Sequence, residues 1–592
     1  MVLLSNAETI RYLPGFAPRG YVGFAARRLP AAFRRLGRAP IMESDMHDLI
    51  IVGAGTAGAV LAERLTASGR NRVLLIEAGG EPRNPFVKIP AGFAKLFRGK
   101  LDWGYSSVHH RGDVRRDIVV PRGKMLGGSS NMNAQIHQWC HPADFDDWAA
   151  NGAEGWSWED VRGTFAAQEC LSGPGAPERG RTGPMKVAPV ADPHPLSKAY
   201  VAAARRVLVN SGEQYNGAAY EGAWISEIAH QAGRRYSAYD AYLIPARRRT
   251  NLQVLKGTTV NRVLVEGGRS VGVEVDRAGQ RSTFRCGKGV ILAAGAIGTP
   301  YLLLHSGIGP AQDLRKLGIR PVLDAPQVGR GLQDHPLVPL VFATSRTDTF
   351  KNAESISNLL RYLLFRKGML ASNAVEAIAF AQSSRALEHA PDIELIFAPF
   401  EWRDQGLQPP QRHAFTIAPV VVKPKSRGAV TLSSPRPGES PVIDFNLLAD
   451  TERHDMQVMI EGIRLAREIA VAAPLGEEAI GEVDPGRLPT DEALSGWIHR
   501  NVQTVYHPAS TCRMGSDAGS VADPQLRVRG IAGLWIADAS VMPSVPRGHP
   551  NAVVAMIAER AAALIEKADT ANWPSRGPSV LESPKTHAYQ TV

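Results

Sequence analysis

The stretch "HDLIIVGAGTAGAVLAERLTASG", His47–Gly69, decides the fold. Leu49–Val52 is a short apolar run of the length expected for a buried strand. Gly53, Gly55 and Gly58 follow in the pattern GxGxxG. Ala59, Leu61, Ala62 and Leu65 then recur at helical spacing. The sequence therefore predicts a strand, a tight turn and a helix. Gly53 permits the turn, Gly55 lets a pyrophosphate approach the backbone, and Gly58 lets the helix sit close to the strand. The free N–H groups at the start of such a helix are donors for phosphate.

A second strand, "RVLLIEAGG" (Arg72–Gly80), ends in Glu77. An acid about twenty residues beyond the glycines accepts hydrogen bonds from a ribose diol. The unit reads as a site for an adenine dinucleotide, with FAD and NAD not yet separated. Further along, "GVILAAGA" (Gly289–Ala296) has the apolar run of a strand returning to the same sheet. "LWIADASVMPSVPRGHPNAVVAMIAERAAALI" (Leu534–Ile565) reads as strand, turn and long helix.

The 592 residues exceed one ordinary domain and suffice for two cores. With 44% hydrophobic and 21% charged residues, the composition is that of a water-soluble globular chain. No stretch approaches the ~18–20 uninterrupted apolar residues of a membrane helix. Cys140, Cys170, Cys286 and Cys512 lie far apart without a CxxC pair. That argues against a disulfide framework or a closed zinc site and for a reducing cytoplasm. The net charge of +11 is uneven, because residues 1–41 hold seven Arg, no Lys and the single acid Glu8. Without an aromatic-basic cluster or recognition motif, this basicity does not point to nucleic acid. We read residues 1–46 as a misplaced start or a basic leader, which leaves contact with a membrane surface open. The tail 568–592, with scattered Pro and Ser, reads as disordered.

Three more segments carry a resemblance. They are "GKMLGGSSNMNA" (Gly123–Ala134), "GAIGTPYLLLHSGIG" (Gly295–Gly309) and the C-terminal block around His549, supported by "GRGLQDHP" (Gly329–Pro336) and "KPKSRGAVTLSS" (Lys423–Ser434). Together, over about residues 47–567, the chain resembles the glucose–methanol–choline (GMC) family of FAD-dependent alcohol oxidoreductases. The resemblance implies an α/β and α+β architecture. A discontinuous Rossmann-type FAD-binding domain is expected at 47–341 and 493–567. A substrate domain, an antiparallel sheet backed by helices, is expected at 342–492. It implies FAD rather than NAD, with contacts from Leu126, Gly127 and Ser129. Asn133 would sit beside the isoalloxazine, and the Val260 backbone would meet the adenine. Asp538 and Ala539 would lie near pyrophosphate and flavin, with Asn551 beyond them. His507, in "TVYHPASTCRMG" (Thr504–Gly515), matches the family's active-site His near the flavin N5. His549 falls where the family carries His or Asn.

The chemistry explains the pair. Oxidising an alcohol removes a hydroxyl proton and a carbon-bound hydride, the latter taken by flavin. Neutral imidazole, with an ordinary pKa of about 6.5, suits the proton. His507 is expected to be the general base and His549 to hold the hydroxyl. A zinc reading of His507 with Cys512 lacks companions at metal spacing, so no metal is expected. Cys512 reads as a small buried hydrophobe.

Two departures from the family carry meaning. Some members attach FAD through a His where this chain has Met132, so FAD is expected to be non-covalent. Choline-oxidising members place a carboxylate after the Asp-His-Pro triplet, where this chain has Leu337. That favours a neutral primary alcohol, aliphatic or aromatic. "LLRYLLFRKGML" (Leu359–Leu370) reads as an amphipathic helix. Phe397, Phe400 and Trp402 are candidate pocket residues, while Glu401 and Arg403 read as solvated. Asp102–Asp117 reads as a polar loop with His109 and His110 exposed. The electron acceptor, a quinone, another carrier or dioxygen, has no motif. Some relatives are lyases or light-driven fatty-acid decarboxylases, and Arg427 is the residue that would meet a carboxylate in such an alternative. A flavin-binding protein without activity would not need the paired histidines.

Overall fold

A computed structural model describes residues 46–568 apart from 209–211, 213–214, 217–219, 388 and 489. The expectations for the leader and the tail lie outside the described residues. The first strand, His47–Val52, is buried and pairs in parallel with Val73–Glu77 on one side and with Gln280–Leu292 on the other. Leu252–Lys256 and Leu534–Ile536 extend this sheet in parallel at its two sides. Buried on both faces, Leu49–Val52, Val73–Ile76 and Val290–Leu292 read as continuous Val/Ile/Leu runs instead of alternating ones. The helix Thr56–Ala67 leaves the first turn and packs against the C-terminal helix Asn551–Lys567. The two are pinned by a Thr56 hydroxyl donating to Asn551 Oδ1 at 2.8 Å and by an Arg64–Glu559 ion pair.

The second sheet is antiparallel. Its central strands, Ile393–Ala398 and Ala414–Val421, alternate in direction of side chain. Leu395, Phe397, Phe415 and Ile417 enter a core formed with the helix His454–Val471. Ile396, Ala398, Thr416 and Ala418 face the opposite way, into a cavity. Gly222–Ile225 joins this sheet from inside the 47–341 segment, and Pro336–Leu337 pairs with Gln503–Thr504 at its edge. That edge pairing brings the His507 segment onto the cavity face. Among the described residues no helix is long and apolar enough to cross a membrane.

Three expectations are corrected by this packing. Phe397 lies on the helix-facing side, stacked on Tyr200 at 4.6 Å, and does not line the cavity. The Asp102–Asp117 segment is mostly a β-hairpin, Tyr105–Arg111 with Val114–Val120, which turns His109 inward against His499. Glu401 is buried, accepting from the backbone N–H groups of Gln411 and Arg412 and pairing with the Arg412 guanidinium.

Candidate active site

A cavity of about 510 Å³ runs from the Gly-rich turn to the antiparallel sheet. At the first end lie Gly53, Gly55, Glu77, Val260, Asp538, Ala539 and Asn551. Ser129 and Asn133 follow, and His507 and His549 line it too. Gly58, Leu126 and Gly127 do not line it. Gly58 acts by packing: a Cβ there would stand 1.8 Å from the Gly53 carbonyl oxygen. Leu126 is core, with its backbone N–H donated to Gly80. The neighbouring Gly128 is the residue that makes the close approach, since its Cβ would lie 2.7 Å from the Gly55 Cα.

Glu77 is buried, and its two oxygens accept from Ala54 N–H at 2.9 Å and Gly79 N–H at 2.8 Å. Burial pushes its pKa up to about 7 against those two donors. A carboxylate has about four lone-pair sites, so capacity remains for a ribose diol. Asp538 is committed to the protein: it accepts from Gly295 N–H, Ser540 N–H and the Thr299 hydroxyl. It ties the turn at Gly295 to the Ser540 segment. Asn133 is fixed by the buried Arg235, which donates to its Oδ1 at 2.6 Å. Glycines where side chains would block the path, donors at a helix start, and an acid at a strand end together fit an adenine dinucleotide.

The histidines converge from separate segments. The rings of His507 and His549 lie 4.9 Å apart at 83°. His507 Nδ1 stands 3.1 Å from His335 Nδ1. The buried Asp334 holds both backbones, accepting from His507 N–H at 2.9 Å and His335 N–H at 2.8 Å. His549 Nε2 faces Glu394 Oε1 at 2.9 Å. Burial, then His549, His335 and Arg122 nearby, holds the His507 pKa well below the ordinary histidine value. Burial pushes His335 down to about 3. Both rings are therefore neutral near pH 7, so in their contact one Nδ1 donates and the other accepts.

His335, Glu394, Arg122 and Arg235 were not singled out from sequence. Glu394 had a legible signal: it is the lone charge in an apolar strand, in phase with the cavity-facing Ile396 and Ala398. Met132, Phe400 and Trp402 line the cavity. Arg427 does not line it; its guanidinium donates to the carbonyls of Pro424 and Ser426. Cys512 is buried in the core of the first sheet.

Comparison with known proteins fits this site. The GMC oxidoreductase family profiles match residues 47–337 and 424–558. This chain belongs to the GMC oxidoreductase family. It is 42% identical to an uncharacterized GMC-type oxidoreductase of Mycobacterium tuberculosis, over 88% of this chain and 99% of that one. It is 37% identical to an oxygen-dependent choline dehydrogenase of Brucella canis, over 87% and 94%. The pyridoxine 4-oxidase of Mesorbium loti superposes with a TM-score of 0.80 at 30% identity, covering 87% of this chain and 98% of that one. As a GMC oxidoreductase the chain is an enzyme that uses FAD and acts on alcohol-like CH–OH donors.

Proposed function

We propose that this GMC oxidoreductase oxidises a neutral primary alcohol, aliphatic or aromatic, to an aldehyde, with His507 taking the hydroxyl proton. The convergence of the two imidazoles on one cavity carries the reading. Bound flavin supplies the hydride acceptor. His507, kept neutral by its surroundings, has a lone pair for the proton, and His549 holds the hydroxyl oxygen. The antiparallel sheet contributes Leu337, Ile396, Ala398, Thr416 and Ala418 to the wall, all uncharged. A quaternary ammonium alcohol, as in the choline dehydrogenase relative, would meet no carboxylate among these five side chains. Met132 in the wall offers no covalent attachment, so FAD is held non-covalently. The acceptor that returns the flavin to its oxidised form is a quinone, another carrier or dioxygen. Arg427, outside the cavity, lends no support to a carboxylate substrate.

One observation favours a second assignment of the base. The His549–Glu394 contact resembles the carboxylate–imidazole pairs in which the carboxylate fixes the tautomer and orientation of the ring that takes the proton. The experiment is anaerobic flavin reduction by a panel of aliphatic, benzylic and amino alcohols, in the parent and in His507→Ala and His549→Ala. The expected result is bleaching by neutral alcohols and a fall of about 10²–10⁴-fold in His507→Ala. No bleaching by any alcohol overturns the reaction. A larger loss in His549→Ala than in His507→Ala transfers the base to His549.

A further inference from the structure

The helix Ile356–Phe365 turns its apolar side outward. Ile356, Leu359, Leu360, Leu363 and Leu364 follow i, i+3, i+4, i+7, i+8 spacing, the stripe that a core helix would bury. All are exposed: Ile356 by 77%, Leu364 by 70%, and the adjoining Phe365 by 65%. The buried side is held by Tyr362, whose hydroxyl donates to the Lys88 carbonyl. The helix is capped at its start by Ser355 and closed by Arg366 in the left-handed region, with φ of 55°. A contiguous apolar face of this kind on a chain surface marks a contact site.

Charge selects the occupant. Within 351–367 there are four basic residues, Lys351, Arg361, Arg366 and Lys367, against the single acid Glu354. Glu354 itself pairs with Lys95, and Arg361 reaches Asp192 at 3.5 Å. A symmetric contact with a second copy would set the same Arg and Lys residues against themselves. An anionic lipid surface meets both features: acyl chains for the leucines and phosphates for the cations. We propose that this helix is an interfacial anchor that seats the enzyme on anionic lipid bilayers. The anchor adjoins the site, because Phe350, just before it, contacts the cavity-lining Phe400 with ring centres 6.5 Å apart.

The test is co-sedimentation of the full-length holoenzyme with vesicles of phosphatidylcholine alone or mixed with phosphatidylglycerol. The parent is compared with Leu360→Glu/Leu364→Glu. The expected result is binding to the anionic vesicles that weakens as salt rises, and a fall of about tenfold or more in the double variant. Oxidation of a soluble alcohol with a soluble dye stays at the parent rate in that variant. If the glutamates cost the protein its flavin, Leu360→Gln/Leu364→Gln takes their place under the same criteria. Equal vesicle binding by parent and variant overturns the proposal, as does no binding to either vesicle. So does a parent dimer that the variant dissolves, which would assign the face to a second copy.

Discussion

Removal of the His335 ring tests whether His507 is held ready as a base. The two neutral imidazoles meet at 3.1 Å through their Nδ1 atoms. If His507 donates there, its Nε2 carries the lone pair needed for the hydroxyl proton; if it accepts, Nε2 is blocked by hydrogen. His335→Ala deletes the acceptor and leaves the His507 N–H without its partner in a buried setting. An unmade buried hydrogen bond costs about 1–3 kcal/mol. At about 1.4 kcal/mol per tenfold, the flavin reduction step slows about 5- to 150-fold. The assay is anaerobic stopped-flow bleaching of the flavin at saturating alcohol, with the alcohol's binding constant read from the same traces. The loss is expected in the rate constant, with binding little changed. His335→Asn returns an acceptor and recovers part of the rate; His335→Phe refills the volume and does not. A rate within about twofold of the parent in the Ala variant refutes the reasoning, because no bond of that size would then be acting. Recovery by Phe and not Asn refutes it too, since only packing would have been lost.

Other outcomes follow from the same geometry. Because burial, the neighbouring imidazoles and Arg122 disfavour a protonated His507, flavin reduction should hold on acidification past the ordinary histidine value of about 6.5 and fall only below it. An acid limb centred at or above that value in the pH profile speaks against His507 as the base. Gly58→Ala drives a Cβ to 1.8 Å from the Gly53 carbonyl oxygen, so the helix must lift off the turn. The expected cost is about 1–3 kcal/mol, seen as a lower unfolding temperature together with reduced flavin content. Parental values of both would show that the close packing is unimportant. Leu337→Glu adds a carboxylate to the uncharged wall, which should raise kcat/KM for choline relative to benzyl alcohol by about tenfold or more. An unchanged ratio would place the substrate's distal end elsewhere.

The parts of this fold that could be read from sequence are those whose chemistry is local. The turn at Gly53–Gly58, the strand ending at Glu77 and the helix after His549 each complete their geometry within a few residues. What escaped the sequence was decided by distant partners. His335 lies within "GRGLQDHP", yet its meaning comes from His507, on a distant segment brought beside it by the edge pairing of Pro336 with Thr504 and by the Asp334 contact. By composition Phe397 groups with Phe400 and Trp402, but a period of two sends it to the other face of the sheet. His109 was read as exposed because its loop is polar. The hairpin alternation instead buries Ser107 and His109 while leaving Ser106, Val108 and His110 outside.

The same geometry explains how the two cavity histidines are held by three regions of the fold. His549 stands at the mouth of the helix Asn551–Lys567, which is bolted to the helix Thr56–Ala67 through Thr56–Asn551 and Arg64–Glu559. His507 is tied instead to the Asp334–His335 segment, which lies at the edge of the antiparallel sheet. Glu394, from the middle of that sheet, is the strut that reaches across to His549. The separation between the histidines is therefore set by how the two sheets dock. A buried carboxylate is costly to leave unpaired, at several kcal/mol, so a shift of the sheets that parts Glu394 from His549 is resisted by more than the loss of one contact. Specificity in the cavity wall can then change by substitution at Leu337 or Ile396 without moving the imidazoles. Substitution of Glu394 removes the contact that holds His549 at its spacing from His507.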